Sequence, residues 1–315
     1  MLPVDKVLRI ATRSSRLALW QAEHVRSRVL HEHADLAIEL VPITTLGDKI
    51  IDRPLAKIGG KGLFIKELEQ ALFDNRADIA VHSMKDVPVD TPAGLHIPVV
   101  LVRADPRDAL VSNGGLRFED LARAATIGTS SLRRKSQLLA RNDGLRIRDL
   151  RGNVTTRLDK LRHGEFDAIV LAAAGLNRLG FGDQITTLFE INEMTPAVGQ
   201  GAIGLECRCD DVRIAALIAP LHDPTTGLCV AAERAMSAFL GGGCDIPLAG
   251  HAVVSDGELR LAGVVASHDG RRIVRREVSG SASAAIALGR QLGAELLAGG
   301  ADRILDELQR HQQLD

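Results

Sequence analysis

The first two thirds of the chain alternate short apolar runs with segments in which apolar residues recur at helical spacing. Serines precede two of these helical segments, at Ser14–Ser15 and Ser130–Ser131, and Asn153 precedes a third, so each has a residue suited to cap a helix. The apolar runs predict strands at residues 7–11, 38–43, 79–81, 99–102, 125–127 and 168–172. Alternation of this kind is typical of parallel sheets with helices on both faces.

The last third has a different pattern. Residues 251–255, 258–266 and 272–278 alternate as strands do, and Ser-Asp-Gly and His-Asp-Gly turns separate them. A helical segment follows from Ser281, with an interruption near Gly299. The pattern predicts two α/β domains with a cleft between them and a small C-terminal α+β domain built on a three-stranded antiparallel sheet.

Composition narrows the class of protein. The longest apolar run, 168–174, is too short to span a bilayer, and we expect no membrane association. No export signal precedes the first strand, and four cysteines in 315 residues are too few for a disulfide framework, so we expect a cytoplasmic protein. The net charge of −1 gives no field that attracts nucleic acid. Only eight of the 39 basic residues are lysine, and arginine suits carboxylates and phosphates.

Polar residues follow the predicted strand at 79–81, in the stretch His82 to Pro88. Ligands of open α/β sheets bind beyond the carboxyl ends of strands. Asp86 is therefore a candidate general acid or stabiliser of a cation, with Lys85 beside it. The alternative is an aspartate that only starts the turn before Pro88.

A second group of polar residues is basic. The turn Gly128–Ser131 opens a helix and offers hydroxyls, free N–H groups and a positive dipole end, and Arg133 and Arg134 follow directly. Simple helix capping with solvated arginines is the alternative. Arg151, Arg157 and Arg13 also lie at or near strand ends, and several arginines in such places indicate a ligand with many carboxylates or phosphates.

Cys244 follows three glycines at the end of a predicted helix. Glycines let the backbone approach a bulky group, and an accessible thiolate there would be a nucleophile, although a small residue in a turn is an equally good interpretation. Cys207 and Cys209 form too weak a pair to indicate a metal, and we expect none. The sequence contains no P-loop and no spaced GxGxxG pattern, so nothing indicates ATP or NAD.

Taken together, seven segments resemble the hydroxymethylbilane synthase (porphobilinogen deaminase) family, in the family's order and over essentially the whole chain. They are Arg-Ile-Ala-Thr-Arg at 9–13, Gly-Gly-Lys-Gly-Leu-Phe at 59–64, Ala-Val-His-Ser-Met-Lys-Asp-Val-Pro at 80–88, Gly-Thr-Ser-Ser-Leu-Arg-Arg at 128–134, Leu-Arg-Gly-Asn at 150–153, Pro-Ala-Val-Gly-Gln-Gly at 196–201 and Gly-Gly-Cys at 242–244. Three positions depart from the family pattern: Arg16, Leu46 and Asp245.

The resemblance implies three domains, the first two similar to periplasmic binding proteins. Domain 1 would comprise 1–101 and 202–219, domain 2 would comprise 102–201, and domain 3 would comprise 220–315. Asp86 would be the catalytic residue, and Cys244 would carry a dipyrromethane cofactor through a thioether. The implied cofactor- and substrate-binding residues are Arg13, Lys61, Ser83, Lys85, Thr129, Ser131, Arg133, Arg134, Arg151, Arg157, Arg178 and Gln200.

The resemblance also implies an activity. Such an enzyme is a transferase of tetrapyrrole (heme) biosynthesis that joins four porphobilinogen molecules head to tail into hydroxymethylbilane and releases ammonia. It would work as a cytoplasmic monomer and pass its product to uroporphyrinogen-III synthase.

Three other interpretations stay open on the sequence. A non-enzymatic binding protein for a polyanion would need neither Asp86 nor Cys244. An arginine-rich RNA-binding protein would have few stacking platforms, since aromatic residues make up 3% and tyrosine is absent. A family member without turnover is disfavoured because both key residues are intact.

Overall fold

The computed structural model describes residues 7–49, 62, 64–242 and 246–314, and the strands within them form three separate sheets. The chain divides into two compact units. Unit 1 comprises Met1–Arg103 and Ala202–Gly227, and unit 2 comprises Ala104–Gly201 and Leu228–Asp315. One sheet lies in unit 1 and two lie in unit 2. The division into three domains stays a prediction.

The sheet of unit 1 has the order β2-β1-β3-β10-β4. Its strands are β1 Val7–Arg13, β2 Ala37–Ile43, β3 Ile79–Ser83, β4 Leu95–Val100 and β10 Ile203–Arg208. β1 is parallel to β2 and β3, whereas β10 is antiparallel to both β3 and β4. The expectation of parallel strands therefore holds for β1, β2 and β3 and fails for β10. β10 enters after the chain has left unit 1, so no crossover helix fixes its direction.

The larger sheet of unit 2 has the order β7-β6-β8-β5-β9. Its strands are β5 Asp108–Ser112, β6 Thr126–Gly128, β7 Arg146–Arg148, β8 Ala168–Ala172 and β9 Thr187–Leu188. This sheet is also mixed, because β5 is antiparallel to β8 and β9. The pattern of apolar residues did not predict β5, β7 or β9. β7 reads Arg-Ile-Arg and β9 has only two residues, so neither gives an apolar run.

Three helices of these two α/β regions begin at predicted caps, Ser15, Ser131 and Asn153. The Ala18 N–H donates to Ser15 Oγ at 3.3 Å, and the Thr156 N–H donates to Asn153 Oδ1 at 2.9 Å. The helices of these regions are α1 Arg16–Glu32, α2 Leu46–Lys49, α3 Lys66–Phe73, α4 Leu132–Arg141, α5 Val154–Arg162, α6 Ala173–Arg178 and α7 Val212–Ile218.

The small sheet of unit 2 is antiparallel in the order β11-β12-β13, as predicted. Its strands are β11 Leu248–Ser255, β12 Glu258–Ala266 and β13 Ile273–Ser281, and the helices of this region are α8 Pro224–Phe239, α9 Ala285–Leu296 and α10 Asp302–Leu314. Leu261, Leu292 and Met236 are fully buried in the core between sheet and helices. Gly300 has a positive φ of 102° between α9 and α10, at the predicted interruption. The α/β class with a small α+β region is confirmed.

Within the described ranges, no single helix is long and apolar enough to cross a membrane. One bent pair of helical segments reaches the length and apolar composition of a membrane span, but only when the two segments are counted together: Val212–Leu221 and Pro224–Phe239.

Candidate functional site

In unit 1, the chain leaves the end of β3 in a single 3-10 turn, Met84–Asp86, which we call the aspartate turn. Met84 is buried, and its N–H donates to the Ala202 carbonyl oxygen at 3.0 Å. Asp86 is exposed at the end of the turn, and its carboxylate makes no hydrogen bond or ion pair with any residue that the structure describes. An anchored backbone therefore presents a carboxylate that is available to a ligand.

Ser83 and Lys85 flank the buried Met84, and both are half-buried. The Gln21 amide Nε2 donates to Ser83 Oγ at 2.9 Å from α1, where the Gln21 side chain is buried. No sequence motif indicated Gln21 as a site residue. It lies 62 residues from Ser83, and local patterns contain no signal that joins two such distant residues.

A buried pair lies one residue before Ser83. His82 Nε2 is 2.9 Å from Glu206 Oε2, and both side chains are almost fully buried between β3 and β10. Burial, with a contribution from Glu206, raises the pKa of the nearby Glu69. A buried pair of this kind ties the two strands together below the aspartate turn.

Arg13 ends β1, as predicted, and its guanidinium already has two protein partners. It forms an ion pair with Asp48 in which Nε lies 3.2 Å from Oδ2, and it lies 4.1 Å from the centre of the Phe64 ring. Burial alone would raise the pKa of Asp48, but hydrogen bonds from Arg13 and Thr45 lower it overall. Arg13 is therefore held in a fixed orientation.

Two predicted site residues, Lys61 and Cys244, lie outside the described residues, as does Asp245 beside Cys244.

In unit 2, Arg133 and Arg134 both turn inward from the start of α4 to the same carboxylate, Asp108 at the start of β5. Arg133 Nη1 donates to Asp108 Oδ2 at 2.6 Å, and Arg134 Nε donates to Oδ1 at 2.9 Å. Each arginine is 6% exposed and Asp108 is fully buried. The alternative that these two arginines are solvated is wrong.

Burial would raise the pKa of Asp108, but the two guanidinium charges outweigh it and hold the pKa far below its ordinary value. Gln200 adds a hydrogen bond from Nε2 to Asp108 Oδ1 at 3.1 Å. The predicted residues Arg133, Arg134 and Gln200 thus meet at Asp108, an aspartate that no sequence motif indicated.

The hydroxyls at the start of α4 make local hydrogen bonds. Ser131 Oγ accepts from the Arg134 N–H at 3.4 Å, and Thr129 Oγ1 accepts from the Ser131 N–H at 3.2 Å. The capping interpretation of this turn therefore holds for Ser131.

The remaining predicted arginines have different surroundings. Arg157 Nε donates to the Gly152 carbonyl at 2.8 Å, and Arg178 Nη2 donates to the Gly201 carbonyl at 2.8 Å. Burial lowers the pKa of Arg178 to about 10. Arg151 is half-buried and makes no hydrogen bond or ion pair with the described part of the chain.

These surroundings fit a ligand that carries carboxylates. A guanidinium that has lost water gains most from an anionic partner, and Arg178 is in that position. Among the described residues, His, Cys, Asp and Glu side chains form no group of three or more that could hold a metal ion. Burial raises the pKa of Cys207 to about 11, which makes it a poor nucleophile and metal ligand.

Comparison with protein families gives two matches. Residues 8–216 match the family described as porphobilinogen deaminase, dipyromethane cofactor binding domain. Residues 227–298 match porphobilinogen deaminase, C-terminal domain.

Comparison with solved structures gives matches that include two bacterial proteins. A VFT2 domain of Bordetella pertussis BvgS is 14% identical with a TM-score of 0.43, and the match covers 73% of this chain and 92% of that domain. The periplasmic aliphatic sulphonate binding protein SsuA from Escherichia coli is 13% identical with a TM-score of 0.41, over 74% of this chain and 70% of that one.

Proposed function

Because this chain belongs to the porphobilinogen deaminase family, it synthesises hydroxymethylbilane from porphobilinogen on a dipyrromethane cofactor, and we propose that Asp86 is its catalytic residue. The evidence for this activity is that the chain matches the models of both family domains. The observation that supports Asp86 is its exposed carboxylate, without a protein partner in the described residues, on a turn whose first residue, Met84, is buried.

Asp86 acts on the charge that develops during deamination. Porphobilinogen loses its aminomethyl nitrogen as ammonia, and the C–N bond breaks to leave a cationic azafulvene. The free α-carbon of the growing chain then forms a C–C bond to the methylene carbon and loses its proton. The Asp86 carboxylate accepts a hydrogen bond from the pyrrole N–H and stabilises the positive charge, as preorganised electrostatic groups do. The step occurs four times, and water releases the product.

Cys244 would hold the cofactor through a thioether, and the dipyrromethane, when bound, would supply the free α-carbon to which the first substrate is joined. Arg178 and Arg151 bind the acetate and propionate groups of cofactor and chain. Two observations support this assignment. Burial lowers the pKa of the Arg178 guanidinium. Arg151 has no protein partner among the described residues. The other proposed contacts are Arg13, Lys61, Ser83, Lys85, Thr129, Ser131, Arg133, Arg134, Arg157 and Gln200.

The remaining proposals concern organisation and setting. We propose three domains with the boundaries given above, a monomer, and a cytoplasmic location. The three described cysteines, which are free thiols, support a reducing compartment. The product would pass to uroporphyrinogen-III synthase.

The test is the intact mass of the denatured protein, wild type beside Cys244→Ser, before and after incubation with porphobilinogen. We expect the added mass of a dipyrromethane in wild type alone, and heavier species after incubation. Equal cofactor mass on both proteins would contradict Cys244 as the attachment point. Bare polypeptide that gains no mass with porphobilinogen would contradict the activity itself.

A further inference from the structure

Arg133 and Arg134, which are adjacent at the start of α4, share one buried carboxylate, that of Asp108. Arg133 approaches it with both terminal nitrogens, Nη1 to Oδ2 at 2.6 Å and Nη2 to Oδ1 at 3.2 Å. Arg134 approaches Oδ1 with Nε at 2.9 Å and Nη2 at 2.8 Å. Consecutive residues of a helix point about 100° apart, so a common acceptor fixes two side chains that would otherwise diverge.

The outer donors of both guanidiniums are also fixed. Arg133 Nη1 donates to the Thr195 carbonyl at 2.8 Å, and Arg134 Nη1 donates to the Val170 carbonyl at 3.0 Å. Each planar fork thus has contacts on two sides and cannot rotate without breaking several charge-assisted hydrogen bonds. The orientation of both arginines therefore depends on Asp108.

Asp108 also holds the turn that contains Gln200. Gln200 Nε2 donates to Asp108 Oδ1 at 3.1 Å and to the Pro106 carbonyl at 2.6 Å. On the other side of this turn, the Gly199 N–H donates at 2.7 Å to Glu233, which is fully buried on α8. Two buried carboxylates thus fix one turn, and Asp108 is the one that also contacts the arginines.

We propose that Asp108 is a positioning residue for the synthesis. It sets the direction in which Arg133 and Arg134 present their other N–H donors to the ligand's carboxylates, and it holds the turn that contains Gln200. This inference rests on the proposed binding role of the two arginines. Misplacement of binding groups by a fraction of an ångström lowers the rate without unfolding the protein.

The test compares Asp108→Asn with a matched control. Asp78 in unit 1 is also a buried aspartate shared by two arginines, with Arg9 Nη2 at 2.8 Å and Arg208 Nη2 at 3.6 Å, and it is outside the proposed site. We expect Asp78→Asn to lower only the thermal midpoint. We expect Asp108→Asn to lower kcat/KM on the order of tenfold or more in the protein that remains folded, and to reduce the fraction carrying dipyrromethane.

A double-mutant cycle separates this inference from the proposed site. Arg134→Leu alone should lower kcat/KM, and Asp108→Asn should cost less in that background than it does alone, because one of the two arginines that Asp108 positions is gone. A normal kcat/KM in Arg134→Leu would overturn the binding role of the arginine. An impaired Arg134→Leu beside a normal Asp108→Asn would overturn the positioning role alone. If Asp108→Asn does not fold, Asp108→Glu keeps the charge but moves it, and wild-type kcat/KM in that variant would overturn the inference.

Discussion

At the scale of single residues, the proposed site contains two kinds of side chain. Asp86 is exposed and has no described protein partner, whereas Arg133 and Arg134 are buried against Asp108. A residue of the first kind can be changed with little effect on folding. A residue of the second kind contributes to stability and to binding together, so its variants need both measurements.

Asp86→Asn should retain the wild-type thermal midpoint, because its carboxylate has no described partner to lose. Turnover of porphobilinogen should fall by about a hundredfold or more, because the amide cannot stabilise the developing cation. Steady-state kinetics checks this, with Asp90→Asn, an exposed aspartate four residues later, as the control. An unchanged kcat in Asp86→Asn would rule out Asp86 as the catalytic group.

Asp78→Asn should show a pH-dependent loss of stability. Burial would raise the pKa of Asp78, but the hydrogen bonds and charge of Arg9 lower it below 3.8. A carboxylate with a lowered pKa stabilises the fold fully above its unfolded pKa, and this contribution disappears as the pH falls through the folded value.

The variant should therefore be less stable than wild type at neutral pH, by about 3 kcal/mol, and the difference should shrink as the pH falls below 3.8. Thermal unfolding at neutral and acid pH measures it, with the exposed Asp35→Asn as control. A difference that stays constant into acid would contradict the ion pair.

At the scale of elements, helix starts follow from local sequence and strand partners do not. Ser15, Ser131 and Asn153 cap their helices through bonds that span three residues. The direction of β10, by contrast, depends on pairing with β3, more than 100 residues away along the chain.

Gly204 of β10 gives a test of how the sheet supports the aspartate turn. A Cβ at Gly204 would collide with Met84 Sδ and lie 3.1 Å from Ile97 Cγ2. Gly204→Ala should therefore displace Met84, and with it Asp86. We expect kcat to fall about tenfold. We expect the free energy of unfolding to fall by about 1–3 kcal/mol.

Shortening the methionine should relieve that collision. We expect Gly204→Ala combined with Met84→Ala to recover part of the lost kcat relative to Gly204→Ala alone, although a cavity lowers its thermal midpoint. Steady-state kinetics and thermal unfolding of Gly204→Ala, Met84→Ala and the double variant check this. A double variant no more active than Gly204→Ala would mean that Met84 does not transmit the change.

At the scale of the whole molecule, unit 2 joins its two sheets through a turn. Gly270, between β12 and β13, has a φ of +70° and lies against the backbone of α4, where a Cβ would collide with the Ser136 carbonyl and lie 2.8 Å from Ala140 N. Gly257, between β11 and β12, has a φ of +78° and no atom within 4 Å of an added Cβ.

These two glycines make a matched pair of variants. Gly257→Ala should cost about 1 kcal/mol from backbone strain alone. Gly270→Ala should cost clearly more, and hydrogen exchange should show residues 246–314 opening separately from α4, because the packing of the turn is lost as well. An equal loss of unfolding free energy in the two variants would show that the packing of the Gly270 turn against α4 does not help to join the two sheets.

What the sequence determined by itself was local or came from motifs. Periodicity predicted the α/β alternation, side-chain oxygens predicted the caps, and seven segments in order indicated the family and Asp86. The tertiary structure alone decided which polar residues meet. Asp48 reaches Arg13 across 35 residues and Asp108 reaches Arg134 across 26. These ion pairs form because strand order and burial bring together residues that are far apart along the chain. No local sequence pattern indicates which distant residues will meet.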